Sequence, residues 1–78
     1  MITPKTSIAL RGRYGLSQRE LAKEACVGIS TVVAFERGQR MPRVENLRAI
    51  RKVFTDRGAI VGEFSVAFET EDDFNDAI

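Results

Sequence analysis

Leu16 to Gly38, LSQRELAKEACVGISTVVAFERG, decides the fold. Ser17 and Glu20 stand at the S-x-x-E spacing of a capping box, in which a hydroxyl and a carboxylate each satisfy an open backbone N–H. Leu16 and Leu21 hold the two hydrophobic-staple positions around it. The pattern predicts a helix over Gln18–Ala25, with Leu21 and Ala25 turned inward. Ala22 is small enough for a following helix to cross closely. Cys26, Val27 and Gly28 then break the period, and about three residues is the length that joins two helices at a steep angle. A further helix is expected over Ile29–Arg37, stopped by Gly38. Val32 and Phe35, three apart, face the core. Ile29, Ser30, Val33 and Arg37 fall on the opposite face, which starts where backbone N–H groups point outward and favour anions. Thr31, Val32 and Val33 are β-branched and lower helix propensity, so packing has to hold this helix.

Working outward, the chain before this stretch predicts a helix starting at Thr3, with Pro4 at the first helical position, where its missing N–H costs nothing. Ile8, Ala9, Leu10 and Tyr14 are expected to face inward, and Gly15 to end the helix. Gly12 marks either close packing or a weak helix. Downstream, Gln39-Arg40-Met41-Pro42-Arg43 reads as a loop. A fourth helix is expected over Val44–Arg57, ended by Gly58, with Val44, Leu47, Ile50, Val53 and Phe54 as its apolar stripe. Arg48, Arg51, Lys52 and Arg57 take its other faces, where basic residues late in a helix suit the dipole. From Ala59 the period changes to two. Ile60, Phe64, Val66 and Phe68 alternate with polar or small residues, as in a strand of about nine residues over 59–68. The chain offers it no second strand. Either it pairs with the same strand of another copy about a two-fold axis, which makes those four residues a dimerisation surface, or it packs on the helices as an arm. The acidic tail, 69–78, reads as disordered or as a weak last turn around Phe74.

Composition bounds the function. At 78 residues the chain makes one domain with a modest core and no deep cleft between domains. It contains no apolar run long enough for a membrane span and no signal-peptide pattern at its start. A single cysteine, Cys26, leaves no intrachain disulfide and fits a reducing, cytoplasmic setting. Without histidine, the usual acid-base and nucleophile arrangements are missing, so no enzyme, no cofactor and no metal site is expected. Glu20 and Glu24 lie one turn apart like a catalytic pair, but capping accounts for Glu20 and solvent for Glu24. The net charge of +1 conceals a segregation: residues 1–58 carry +7, and residues 59–78 carry six acids and no base. A basic body fits a polyanionic partner equally with a solvated surface.

Gly15-Leu16-Ser17-Gln18-x-x-Leu21-Ala22, then Val27, Ser30-Thr31, Phe35-Glu36-Arg37-Gly38, Pro42 and Leu47 resemble the Cro/C1-type (XRE-like) helix-turn-helix domain. The resemblance spans roughly residues 5–58. It implies a mainly α, lambda-repressor-like bundle of about four helices, here followed by a C-terminal strand and an acidic tail. It also implies a DNA-binding transcriptional regulator, usually a dimer, whose third helix enters the major groove. Residue by residue, Gln18 would sit against a phosphate and brace that helix. Gly28, Ile29, Ser30 and Thr31 would lie nearest the bases, with Val33 one turn on. Arg37, Arg40 and Arg43 would follow the sugar-phosphate backbone. Arg11 and Glu36 match positions that often form a partly buried ion pair.

The sequence departs from the family pattern at three places. The usual glycine of the turn is Cys26. Ile29 and Val33 replace polar residues on the reading face, which favours packing on thymine methyls over bidentate hydrogen bonds. A strand stands where a short fifth helix is usual. The expected function is a sequence-specific regulator, in the manner of a repressor, binding double-stranded DNA as a homodimer. The alternative is a protein-interaction module on the same fold, such as an antitoxin or co-regulator, using the strand or the tail.

Overall fold

A computed structural model describes residues 1–62. Four helices follow one another: α1, Pro4–Tyr14; α2, Gln18–Ala25; α3, Ile29–Glu36; and α4, Val44–Thr55. α2 packs against both α3 and α4, and α1 packs against α3. The core between them is Leu21, Ala22, Ala25, Val32, Phe35, Leu47, Ile50, Val53 and Phe54, closed by Ile2 from one end of the described chain and Val61 from the other. Tyr14 stacks on Phe54, with ring centroids 6.5 Å apart.

The start signals operate as the residues dictate. Thr3 Oγ1 accepts from the Thr6 amide at 3.1 Å, with Pro4 at the first helical position. The capping box is complete: the Glu20 amide donates to Ser17 Oγ at 3.0 Å, and the Ser17 amide donates to Glu20 Oε1 at 2.8 Å. The Ser17 amide, and after it the Ser17 hydroxyl, favour the ionised carboxylate and hold the Glu20 pKa below its ordinary value. Gly15 ends α1 in the left-handed region (φ 67°), and the Leu16 amide reaches back to Arg11 O at 2.9 Å.

The α2–α3 turn shows what the glycine-to-cysteine departure costs. Cys26 has φ 59° and ψ 41° and is the only non-glycine residue with positive φ in the described chain. The geometry serves the turn: the Val27 amide donates to Ala22 O at 3.0 Å, which brings Val27 back onto the core. A side chain at this φ is unfavourable by roughly 1–2 kcal/mol, because Cβ crowds the following carbonyl. The cysteine is exposed. Cys26→Gly is therefore expected to stabilise the protein by about 1 kcal/mol, with a Tm higher by roughly 4–8 °C in a thermal melt. A lower Tm would mean that the side chain is needed.

Three expectations need correction and one an addition. Ile8 and Ala9 do not face inward on α1; Ile8 is 46% exposed, and the buried side carries Ser7, Leu10, Arg11 and Tyr14. The apolar pattern misled because a serine and an arginine occupy the inner face as hydrogen-bonding groups. Val44 is half exposed, since the first turn of α4 precedes the core and the buried stripe begins at Leu47. Glu24 is exposed as expected but not without a partner: Arg57 Nη2 donates to Glu24 Oε2 at 2.7 Å, linking α2 to the turn after α4. Residues 59–62 are not a strand. Arg51 Nε donates to Val61 O at 3.0 Å, and Val61 enters the core while Ile60 is left 91% exposed. The remainder of the expected strand, with Phe64, Val66 and Phe68, and the acidic tail lie outside the described residues. Gly12 is exposed and has no neighbour within 4 Å of an added Cβ, so close packing does not explain it.

Candidate nucleic-acid interface

The interface is built on α3, whose two faces differ in kind. Val32 and Phe35 are fully buried, and they orient the helix so that Ile29, Ser30 and Arg37 are exposed, with Thr31 and Val33 half-buried at the edges. Gly28 precedes the helix with no side-chain cap, its carbonyl accepting from the Thr31 amide at 3.0 Å. The first amides of α3 are thus uncovered by any capping side chain and face outward with the positive end of the helix dipole. Ile29 and Val33, four apart, form an apolar strip flanked by the Ser30 hydroxyl.

A second surface lies beside the first. Ser30, Thr31 and Ala34 of α3, residues 40–43 of the following loop and Asn46 of α4 enclose a groove of about 500 Å³. The loop is pinned to the helix: the amides of Gln39 and Arg40 both donate to Ala34 O, at 2.9 and 3.3 Å. Pinning sets Arg40 and Arg43 on the rim of the groove, both exposed. Neither they nor Arg37 have an ion-pair partner among the described residues. Three exposed guanidinium groups, unpaired among the described residues and carried on the end of α3 and a pinned loop, suit a row of anions.

Behind α3 sits a buried charge cluster that holds it in place. Glu36 is 8% exposed. Arg11 approaches it as a fork, Nε to Oε2 at 2.8 Å and Nη2 to Oε1 at 2.7 Å. Ser7 Oγ donates to Oε2 at 2.7 Å, and Gln18 Nε2 donates to Oε1 at 3.1 Å. The third arm of Arg11, Nη1, donates to Leu16 O at 3.1 Å. Burial alone would raise the Glu36 pKa; the hydrogen bonds from Arg11, Ser7 and Gln18, with the charge of Arg11, outweigh burial and hold it below the ordinary carboxylate value. Arg11's own hydrogen bonds to Glu36, with the carboxylate's charge, raise its pKa. One carboxylate thereby joins α1, the start of α2 and the end of α3.

The expected Arg11–Glu36 pair is present. Gln18 is half-buried and turned to Glu36, where it braces α3 from behind. Ser30, Thr31, Arg40 and Arg43 line the one groove, while Gly28, Ile29 and Arg37 are exposed at or beside α3 and Val33 is half-buried. Sequence reading missed Ser7, whose spacing of four from Arg11 was a usable signal. It also missed Asn46 in the groove, which carried none. Among the described residues no group of His, Cys, Asp or Glu gathers to hold a metal, and no helix is long and apolar enough to cross a membrane.

A family model described as helix-turn-helix matches residues 8–55, well over half the chain and all of α2, α3 and their turn. The chain belongs to the Cro/C1-type (XRE-like) helix-turn-helix family. This is a family of DNA-binding regulatory domains, and its signature here coincides with the unit that exposes α3. No curated protein matches the chain.

Proposed function

We propose that the protein is a sequence-specific transcriptional repressor that binds double-stranded DNA as a homodimer, with α3 in the major groove. The observation that carries this reading is the exposed face of α3 flanked by Arg37, Arg40 and Arg43, none paired within the described residues. Gly28 and the start of α3 approach the duplex through backbone amides. Ser30 and Thr31 supply hydroxyls that accept or donate to any base edge. Ile29 and Val33 pack on thymine methyls, so half-sites are T-rich and the remaining discrimination comes from DNA shape. Arg37, Arg40 and Arg43 neutralise phosphates and release counterions, and Gln18 backs α3 while lying near the backbone. Residues 1–58 form the DNA-binding domain. The segment 59–68 provides dimer contacts through Ile60, Phe64, Val66 and Phe68; the 91% exposure of Ile60 supports this at its one described position.

Selection of binding sites from a random duplex pool, with solution mass measured alongside, tests the reading. An inverted repeat with half-sites about one helical turn apart is expected. On the selected site, Arg40→Ala should weaken binding to all sequences about equally and lower the slope of log K against log salt by roughly one unit. Ser30→Ala should shift sequence preference instead. Unchanged affinity and slope for Arg40→Ala would show that the loop does not meet the DNA backbone.

A further inference from the structure

The segregation of charge leaves a surface and a segment that match. The described body carries +7, and residues 63–78 carry six acids and no base. Much of the positive charge is already engaged. Arg11 is paired with Glu36, Lys52 with Asp56 at 2.8 Å, and Arg57 with Glu24. Arg51 donates to Val61 O, and Arg13 lies over the Tyr14 ring. Lys5, Arg19, Lys23 and Arg37 have no ion pair among the described residues, but the groove between α3 and the 40–43 loop gathers two arginines in one concavity. The guanidinium groups of Arg40 and Arg43 and the side chains of Ser30, Thr31 and Asn46 make no hydrogen bond or ion pair within the described residues. The groove is a concave site with two guanidinium groups, two hydroxyls and an amide, all unspent.

We infer that the acidic residues 69–76, beyond the proposed dimer segment, dock in this groove of their own chain and compete there with nucleic acid. The inference rests on the proposed DNA-binding reading for its consequence, though not for the contact itself. Guanidinium groups take carboxylates and phosphates in the same forked geometry, so a surface built for one accepts the other. The groove's volume of about 500 Å³ admits several side chains. Reach is sufficient. Residues 63–78 follow directly on Gly62, and Glu69, Glu71, Asp72, Asp73 and Asp76 lie seven to fourteen residues beyond it. Extended chain covers roughly 3.3–3.6 Å per residue, about 25–50 Å over that interval. The body's longest dimension is 35 Å. Tethering raises the local concentration of the acids to the order of millimolar, which makes weak, exposed ion pairs populate appreciably. Such contacts are screened once the Debye length drops well below 10 Å. The docked state is therefore a low-salt state, and a phosphate backbone of higher charge density displaces it.

The test uses the full chain and a full-length variant with Glu69→Gln, Glu71→Gln, Asp72→Asn, Asp73→Asn and Asp76→Asn. Without DNA, the NMR signals of the Arg40 and Arg43 Nε–H groups and the Thr31 and Asn46 amides are expected to differ between the two chains at 50 mM salt and to converge at 0.5 M. With a random-sequence duplex at 50 mM salt, the neutralised chain is expected to bind on the order of tenfold more tightly, the advantage fading as salt rises. Identical spectra at low salt would overturn docking, whatever the affinities. Tighter DNA binding with identical spectra would mean that the acids repel DNA from a distance, which also overturns docking. Spectral differences with no DNA binding by either chain would uphold the contact and remove the DNA-binding reading instead.

Discussion

Glu36→Ala is expected to cost about 3–5 kcal/mol of folding stability, because it leaves the Arg11 guanidinium partly buried without its counter-charge. The same change strips Ser7 Oγ, on a residue with no exposure at all, of its only acceptor among the described residues. A domain of this size has a total stability on the order of 5 kcal/mol, so the variant should be largely unfolded at room temperature or have a urea midpoint near zero. Glu36→Gln keeps acceptor capacity toward Ser7 but loses the ionic half of the fork, so it should fall between the two. A midpoint for Glu36→Ala within about 1 kcal/mol of the parent would show that the cluster does not hold α1 to α3.

The cluster also sets an acid limb. The Glu36 pKa is lower in the folded chain than unfolded. Its contribution is therefore complete above the ordinary glutamate pKa and is lost as pH falls through the lower, folded value. Glu24, hydrogen-bonded to Arg57, and Glu20, capped by Ser17, shift the same way. Stability should decline on acidification below the glutamate range. In a Glu36→Gln chain the decline should be shallower but still present. An equal decline in both chains would assign the acid limb to Glu20, Glu24 and other carboxylates.

Phe35→Ala is expected to be of similar size, about 3–5 kcal/mol, by removing the largest buried side chain of α3 and leaving a cavity. The helix has only eight residues, no side-chain cap and four β-branched positions, so little besides packing keeps it formed. DNA binding should vanish with the fold. Val33→Ala, two residues away on the outer side, should change the urea midpoint by well under 1 kcal/mol and yet alter DNA preference. Comparison of denaturation midpoints with binding for the two variants checks the division of the helix into faces. Equal losses of stability would show that Val33 belongs to the core.

Much of the helix-turn-helix was legible in the residues because it depends on local rules. The Ser17–Glu20 box, Pro4 after Thr3, and Gly15 at the end of α1 each satisfy backbone groups through neighbours three to five positions away, and those distances can be read along the chain. The 3.6-residue period of Leu47, Ile50, Val53 and Phe54 likewise declares its own buried face. The spacing of Val32 and Phe35 sufficed to separate the inner side of α3 from Ile29, Ser30 and Arg37. Local spacing could not reveal partners brought together by folding. Ser7 is not placed by the apolar pattern, and it is buried where Glu36, 29 positions on, meets its hydroxyl. Glu24 reads as solvated and gains a partner only when the turn after α4 delivers Arg57 to it. The groove takes shape only when Ala34 O captures two amides of the 39–43 loop and swings Arg40 and Arg43 beside Ser30 and Thr31. Local chemistry along the chain determined which helices form and which face of each is apolar. Tertiary structure decided which polar groups are buried, which charges are cancelled, and which are left facing outward, because those outcomes depend on distances between residues far apart in the chain.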